Sequence, residues 1–150
     1  METIEKTIIT VMTKVNAPIE KVWKYWTSPD DIIKWNNASE DWHTPRAEND
    51  LRPGGKFNYR MEAKDGSIGF DFFGIYTDVI VNSQMDYTLG DDRKVNILFF
   101  AVDNETEIVQ TFEAEDTNSI EMQQIGWQSI LDNFKKYAEN NGAKQVIEYK

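Results

Sequence analysis

Apolar and polar positions sort this chain into short elements. Residues 3–15 alternate loosely, β-branched side chains dominate, and Ile4, Ile8 and Val11 stand among Thr and Lys. That pattern predicts a strand. In "NAPIEKVWKYW", Ile19, Val22, Trp23 and Trp26 recur at helical spacing on one face. Pro18 suits a first helical turn, where its missing N–H costs nothing. "TSPDDIIKW" repeats the signal, with Ser28 as a cap, Pro29 as a start and Asp30 and Asp31 favouring the positive helix end. Two short helices in a row, ending near Trp35, are expected. Residues 36–54 lack periodicity and read as an irregular stretch.

From Lys56 the pattern becomes β. Phe57, Tyr59 and Met61 alternate with Asn58, Arg60 and Glu62, and Asp65-Gly66 marks a hairpin turn. "IGFDFFGIYTDVIV" reads as a long strand in which Gly69 and Gly74 suggest bulges or sharp bending. "MDYTL", "KVNILFFAV" and "ETEIVQTFEA" follow, the last two joined at Asp103-Asn104. About five or six consecutive antiparallel strands form a meander. The last element is the longest helix. Asn118 or Thr117 is its expected cap, and Glu121 is a capping-box partner. Gln123, Trp127, Ile130, Leu131, Phe134 and Ala138 form its apolar stripe, and Asn140, Asn141 and Gly142 are expected to stop it. The tail, residues 143–150, reads either as a docked extension or as disorder. The whole is an α+β chain in one domain, 1–150, with its core at about 5–138. The helix must bury its stripe against the sheet. A strongly curved sheet over one helix often leaves a gap, which large aromatics would line.

Composition narrows the function. The chain has 150 residues, enough for a real core, and 40% hydrophobic and 13% aromatic residues put it among folding chains. A net charge of -10 repels phosphate backbones and anionic membrane surfaces, so neither nucleic acid nor membrane is an expected partner. There is no cysteine, which excludes disulfides, thiol catalysis and thiolate metal sites. One histidine cannot make a multi-histidine metal site. The N-terminus lacks the apolar run of a signal peptide, and no segment approaches the ~20 apolar residues of a membrane span. A cytoplasmic location, no cofactor and no metal are the expectations.

The element order, "NAPIEKVWKYWTSPDDIIKW", "DLRPGGKF", "DGS", "GIYTDV" and "IGWQSILDNF" together resemble the START-like, or SRPBCC, superfamily. Within it the chain is similar to the group related to the C-terminal domain of the activator of heat shock protein 90 ATPase. The resemblance covers roughly residues 5–138. It implies the helix-grip (START-like, Bet v-type) fold, a seven-stranded antiparallel sheet curved around the C-terminal helix with a cavity between them. The wider superfamily binds lipids, hormones, polyketides and other apolar molecules, and some members are cyclases or dehydratases. Fold analogy alone does not settle function. Chaperone activation in the named relative takes a separate N-terminal domain, for which this sequence leaves no room, so that activity is not expected.

Several residues carry candidate chemistry. His43 lies in "DWHTPR" beside Trp42, Pro45 and Arg46. It could act as a general acid or base oriented by Asp41, Glu40 or Glu48, or serve as a loop anchor. Arg46 and Arg52 could bind an anion, although Arg52 could equally pair with Asp50 and pin its turn. Glu62 and Asp71, with Arg60, could form an acid–base cluster if their face points inward. The Phe57–Tyr59–Met61 face is the more natural inward one, which leaves that cluster in solvent unless a bulge at Gly69 or Gly74 reverses it. Trp26, Trp35, Trp42, Phe57, Tyr59, Phe72, Tyr76, Phe99, Phe112 and Trp127 could line a pocket or fill a core. Tyr59 and Tyr76 are the best pocket candidates, because buried hydroxyls need partners.

Three functions follow. The first is binding of an apolar or amphipathic small molecule against the helix of Trp127, its polar end oriented by His43 and Arg46 near the mouth. The second is a cyclase or dehydratase using His43, Glu62 or Asp71. The third is a protein-interaction module, co-chaperone-like, with an acidic face. Exposed sheet edges leave monomer and homodimer both open.

Overall fold

The computed structural model describes residues 6–147, with side chains described through residue 140. Ile4 and the last tail residues, 148–150, lie outside the described residues. The elements are β1 (Ile8–Val15), α1 (Ile19–Thr27), α2 (Pro29–Trp35), β2 (Trp42–Asn49), β3 (Lys56–Ala63), β4 (Gly69–Ile80), β5 (Gln84–Leu89), β6 (Lys94–Val102), β7 (Glu105–Glu113) and α3 (Ile120–Ile147). The seven strands form one antiparallel sheet in the order β1-β7-β6-β5-β4-β3-β2. Strands β2 to β7 meander, and β1 then pairs with the last of them. Short loops join most consecutive strands, the topology that tight turns favour.

Alternation decides which side chains face the helices. Phe57, Tyr59 and Met61 on β3, Met85, Tyr87 and Leu89 on β5, and Ile108, Gln110 and Phe112 on β7 are buried at every second position. On β1 the inward set is Ile9, Val11 and Val15, whereas Ile8 is exposed.

The three helices meet in an aromatic cluster at one end of the sheet. Trp26 of α1 lies 4.8 Å from Trp35 of α2 and 4.8 Å from Phe134 of α3, centroid to centroid. Trp35 also donates its indole N–H to the Tyr25 carbonyl at 2.8 Å, so burial leaves that donor satisfied. Asn133 of α3 donates at 2.7 Å to the Trp35 carbonyl at the end of α2, which also accepts from the Asn37 N–H at 2.8 Å.

Four expectations are corrected. The stretch 36–54 holds strand β2, which escaped detection because it is an edge strand, contains Pro45 and shifts register between His43 and Arg46. An edge strand is bound on one side only and need not alternate cleanly. Gly69 and Gly74 are not bulges, since both pair in unbroken register with β3. The register break of β4 falls between Tyr76 and Asp78 instead. Gly74 is small because an added Cβ would lie 2.6 Å from the Thr88 carbonyl and 2.9 Å from the Phe57 ring. At α3, Ser119 makes the cap, its hydroxyl accepting from the Met122 N–H at 3.1 Å, in place of Asn118 or Thr117. Finally, α3 continues through Asn140, Asn141 and Gly142 to Ile147. Such residues cost a helix only about 1 kcal/mol each, so they do not force a stop. At α2, Ser28 occupies the cap position without a side-chain hydrogen bond.

Both sheet edges are blunted. Along β1, Gln124, Gln128 and Lys135 of α3 donate to the carbonyls of Thr10, Met12 and Lys14 at 3.5, 3.1 and 2.7 Å. These are alternate residues, the ones whose carbonyls would otherwise stand open on the edge. The β2 edge carries Pro45 and the register break. Among the described residues, no helix is long and apolar enough to cross a membrane, and no group of three His, Cys, Asp or Glu is placed to hold a metal ion.

Candidate functional site

A cavity of about 400 Å³ lies between the inner face of the sheet and α3. Its closed end is formed by Trp26, Trp35, Tyr59, Tyr76, Tyr87 and Gln110, all buried. Its mouth is edged by Phe70, Arg93, Glu115, Asn118 and Met122. Phe70 and Met122 are exposed there, at 46% and 62%. The size falls within the range of small-molecule sites, and aromatic walls with a few polar groups are their usual lining.

The wall beside α3 is set by Trp127. Its ring stacks on Phe112 of β7 at 3.8 Å and 11° and meets Phe72 of β4 edge-on at 6.0 Å. Gly126, one residue earlier, lines the cavity, and a Cβ added there would meet nothing within 4 Å. The first turns of α3 are tied to the end of β7 by Gln123. Its side chain accepts from the Glu115 N–H at 2.9 Å and donates to the carbonyls of Glu115 and Asn118 at 3.1 and 2.9 Å.

The polar groups of the closed end form a chain. Tyr59 and Tyr76 both line this end of the cavity. Tyr76 donates to the Asn49 side-chain oxygen at 2.6 Å, and the Asn49 amide donates to the Thr27 carbonyl at 2.7 Å. The turn "DLRPGG" fixes this geometry from the backbone. Gly54, at φ 84°, donates to the Tyr76 carbonyl at 2.8 Å, and the Tyr76 N–H donates to the Gly55 carbonyl at 2.9 Å. Only glycine reaches that φ without strain. Arg52 pairs with Asp50 at 3.0 Å and belongs to this turn.

Burial pushes all three cavity tyrosines up from their ordinary range. Tyr59 and Tyr87 rise strongly, further raised by neighbouring tyrosines, and Tyr76 is pushed up to about 12. Near neutral pH they are neutral hydrogen-bonding groups and poor proton donors. The Gln110 side chain and the Arg93 charge oppose the rise at Tyr87 without reversing it. Arg93, at the mouth, donates to Asp91 at 2.7 Å.

The sequence-derived site residues divide between the two faces of the sheet. Trp26, Tyr59, Tyr76 and Trp127 line the cavity. Trp42 sits on the inner face at the rim, 5.9 Å from the Phe70 ring. His43 pairs across the strands with Glu62, and Arg46 with Arg60, whose neighbours Tyr59 and Met61 point inward. His43, Arg46, Arg60, Glu62 and Asp71 therefore lie on the outer face, away from the cavity, and the expected position of His43 and Arg46 near the mouth is corrected. Strand pleating is the reason, since adjacent residues point to opposite faces. On the outer face, Arg60 donates to Glu62 at 2.8 Å and stands 3.8 Å from Asp71, and His43 stands 3.9 Å from Glu62. The hydrogen bond from Arg60, then the charges of Arg60, His43 and Arg46, hold the Glu62 carboxyl below its ordinary range. These side chains are a third or more exposed, or nearly so, and make a solvated charge ladder.

Sequence reasoning missed Asn49, Tyr87 and Gln110. The signal for Gln110 was present: a polar residue at an inward position between Ile108 and Phe112. Tyr87 stood likewise between Met85 and Leu89. Asn49 carried no local signal.

Comparisons with known proteins agree with this architecture. No curated protein matches the sequence. Residues 16–139 match the model of the family described as activator of Hsp90 ATPase homolog 1-like protein. The solution structure of an AHSA1-like protein from Aeromonas hydrophila is 43% identical, with a TM-score of 0.85 over 91% of this chain and 94% of that one. A protein of Cytophaga hutchinsonii is 52% identical, with a TM-score of 0.75 over 91% of this chain and 93% of that one. A protein of Chromobacterium violaceum shares the fold at 21% identity, with a TM-score of 0.80 over 89% of this chain and 98% of that one. With its curled seven-stranded sheet gripping a C-terminal helix, the chain belongs to the activator of Hsp90 ATPase homolog 1-like family of the START-like superfamily.

Proposed function

We propose that this protein binds an apolar or amphipathic small molecule between the sheet and α3, acting in the cytoplasm as a single domain. The observation that carries the reading is the cavity of about 400 Å³ with aromatic walls and a polar closed end. Filling such a space with side chains would have stabilised the fold, since voids cost packing energy. Ligand occupancy is the functional reason to keep it. A cyclase or dehydratase working through His43, Glu62 or Asp71 gains no support from the geometry, because those groups lie across the sheet from the cavity. The tyrosines that do line it are too weakly acidic for proton transfer near neutral pH.

Native mass spectrometry of the purified protein, with extraction of any retained molecule, tests this. A bound small molecule is expected in the wild-type chain and in His43→Ala, and is expected to be lost in Gly126→Leu, whose side chain enters the cavity. Retention by Gly126→Leu, or failure of small apolar probes to bind the wild-type chain at all, would overturn the reading.

A further inference from the structure

Two neighbouring tryptophans differ in one respect. The Trp35 indole N–H donates to the Tyr25 carbonyl at 2.8 Å. Trp26 packs beside it among the rings of Trp35, Phe99 and Phe134, none of which takes its proton. Among the described residues, the Trp26 N–H, the Tyr59 and Tyr87 hydroxyls and the Gln110 amide make no hydrogen bond to a protein group. All four side chains are only 6% to 8% exposed. Yet the one unpartnered polar atom that is fully enclosed by protein, among the described residues whose side chains are not exposed, is Asn58 Oδ1. The polar atoms of Trp26, Tyr59, Tyr87 and Gln110 therefore border open space, and the space that these four side chains share is the cavity.

Register brings two of them to one place. Gln110 of β7 pairs with Ile97 of β6, and Tyr87 of β5 pairs with Val95, two residues away. Both face inward and flank the same short stretch of β6, where the intervening side chains are the smaller Val95 and Ile97. The groups of this end are mostly donors. The indole N–H and the two amide N–H groups of Gln110 can only give protons, and each tyrosine hydroxyl carries one more. Acceptor atoms are fewer: the Gln110 carbonyl oxygen and the two hydroxyl oxygens. No cation stands among them. Arg93, at the mouth, is held by Asp91 at 2.7 Å and by the Glu113 carbonyl at 3.4 Å.

We propose that the closed end of the cavity holds a neutral ligand by an acceptor oxygen, a carbonyl above all, with the ligand's apolar body running toward the mouth. This rests on the small-molecule reading above. A carbonyl oxygen accepts two hydrogen bonds, so the Gln110 amide and a tyrosine hydroxyl can serve it together. A ligand that brings only an N–H leaves the Trp26 and Gln110 N–H groups buried without a partner, which is the costlier error. A carboxylate also accepts, but it must leave water for a site with no positive charge to offset that loss.

Equilibrium dialysis near neutral pH with four probes on one bicyclic frame tests this: indene, 1-indanone, indole and indane-1-carboxylate. Indanone carries an acceptor and no donor, and indole a donor and no acceptor oxygen. The wild-type chain is expected to bind 1-indanone roughly tenfold more tightly than indole, the scale of one buried hydrogen bond, and the carboxylate most weakly. In Gln110→Leu and in Tyr87→Phe the advantage of 1-indanone over indole is expected to shrink, while indene binds as before. Equal affinity for 1-indanone and indole in the wild-type chain, or tighter binding of indole or the carboxylate, would overturn the inference without recourse to any variant. So would an advantage left unchanged in both variants. Binding of indene with no acceptor preference would leave the small-molecule reading standing and remove only this one. Absence of binding by all four would overturn both.

Discussion

Trp127 lies flat on Phe112, with ring centroids 3.8 Å apart and planes 11° from parallel. One ring belongs to α3 and the other to β7, so this stack holds the helix against the sheet while the space beyond it stays open. Truncating Trp127 to Ala removes the stack and the edge contact with Phe72. The expected loss is about 3 kcal/mol, the low end for a large aromatic because Trp127 is half-buried. Denaturant unfolding measures it. A loss below about 1 kcal/mol, the ordinary scale for a point mutation, would mean that the stack does not hold α3 in place.

Gly126 makes the opposite experiment possible. A Cβ there meets nothing within 4 Å, and glycine inside a helix costs about 1 kcal/mol relative to alanine. Gly126→Ala is therefore expected to raise stability by up to about 1 kcal/mol. The residue borders the cavity, so the gain would come with reduced room for a ligand. A thermal melt shifted downward would show that the backbone at this position depends on glycine.

Alkaline pH should destabilise the fold through the cavity tyrosines. Their folded pKa values are raised by burial, that of Tyr76 from 10.0 to about 12. The folded state thus holds the proton more tightly than the unfolded state. Stability is full below pH 10.0 and falls as pH rises from there through about 12. The slope is roughly 1 kcal/mol per pH unit for each such tyrosine. Tyrosinate absorbance followed together with circular dichroism should show these groups ionising with unfolding. Ionisation of all tyrosines at their ordinary pKa in a still-folded chain would contradict the burial described.

The Gln124 and Gln128 contacts to the Thr10 and Met12 carbonyls guard the β1 edge. The wild-type chain is expected to elute as a monomer. Gln124→Ala with Gln128→Ala should change stability little, since both side chains are exposed, but should open the edge to pairing between copies. Light scattering at rising concentration is the measurement. Unchanged scattering would show that the edge is protected by other means.

Elements with strong local periodicity were legible in the chain itself. The Trp23–Trp26 helix face, the inward set Phe57, Tyr59 and Met61, and the stripe from Gln123 to Ala138 all follow from spacing. A helix or strand repeats over a few residues, so its buried face is written within the element. The curved sheet and its helix follow from the order of those elements. Strand β2 was not legible, because an edge strand with a proline and a register break has no clean period. Nor was the outward position of His43, whose face depends on which residue of β3 it pairs with.

The site belongs mostly to the tertiary structure. Tyr59 and Tyr76 could be singled out from sequence as buried hydroxyls in need of partners. The partner itself, Asn49, is 27 residues from Tyr76, and the carbonyl that orients Asn49 lies 22 residues away in α1. Hydrogen bonds over such separations are set by how strands and helices pack, and no local pattern encodes them. The openness of the cavity is of the same kind. The residues that line it are those that would have filled it, and only the stand-off between α3 and the curved sheet decides which they do.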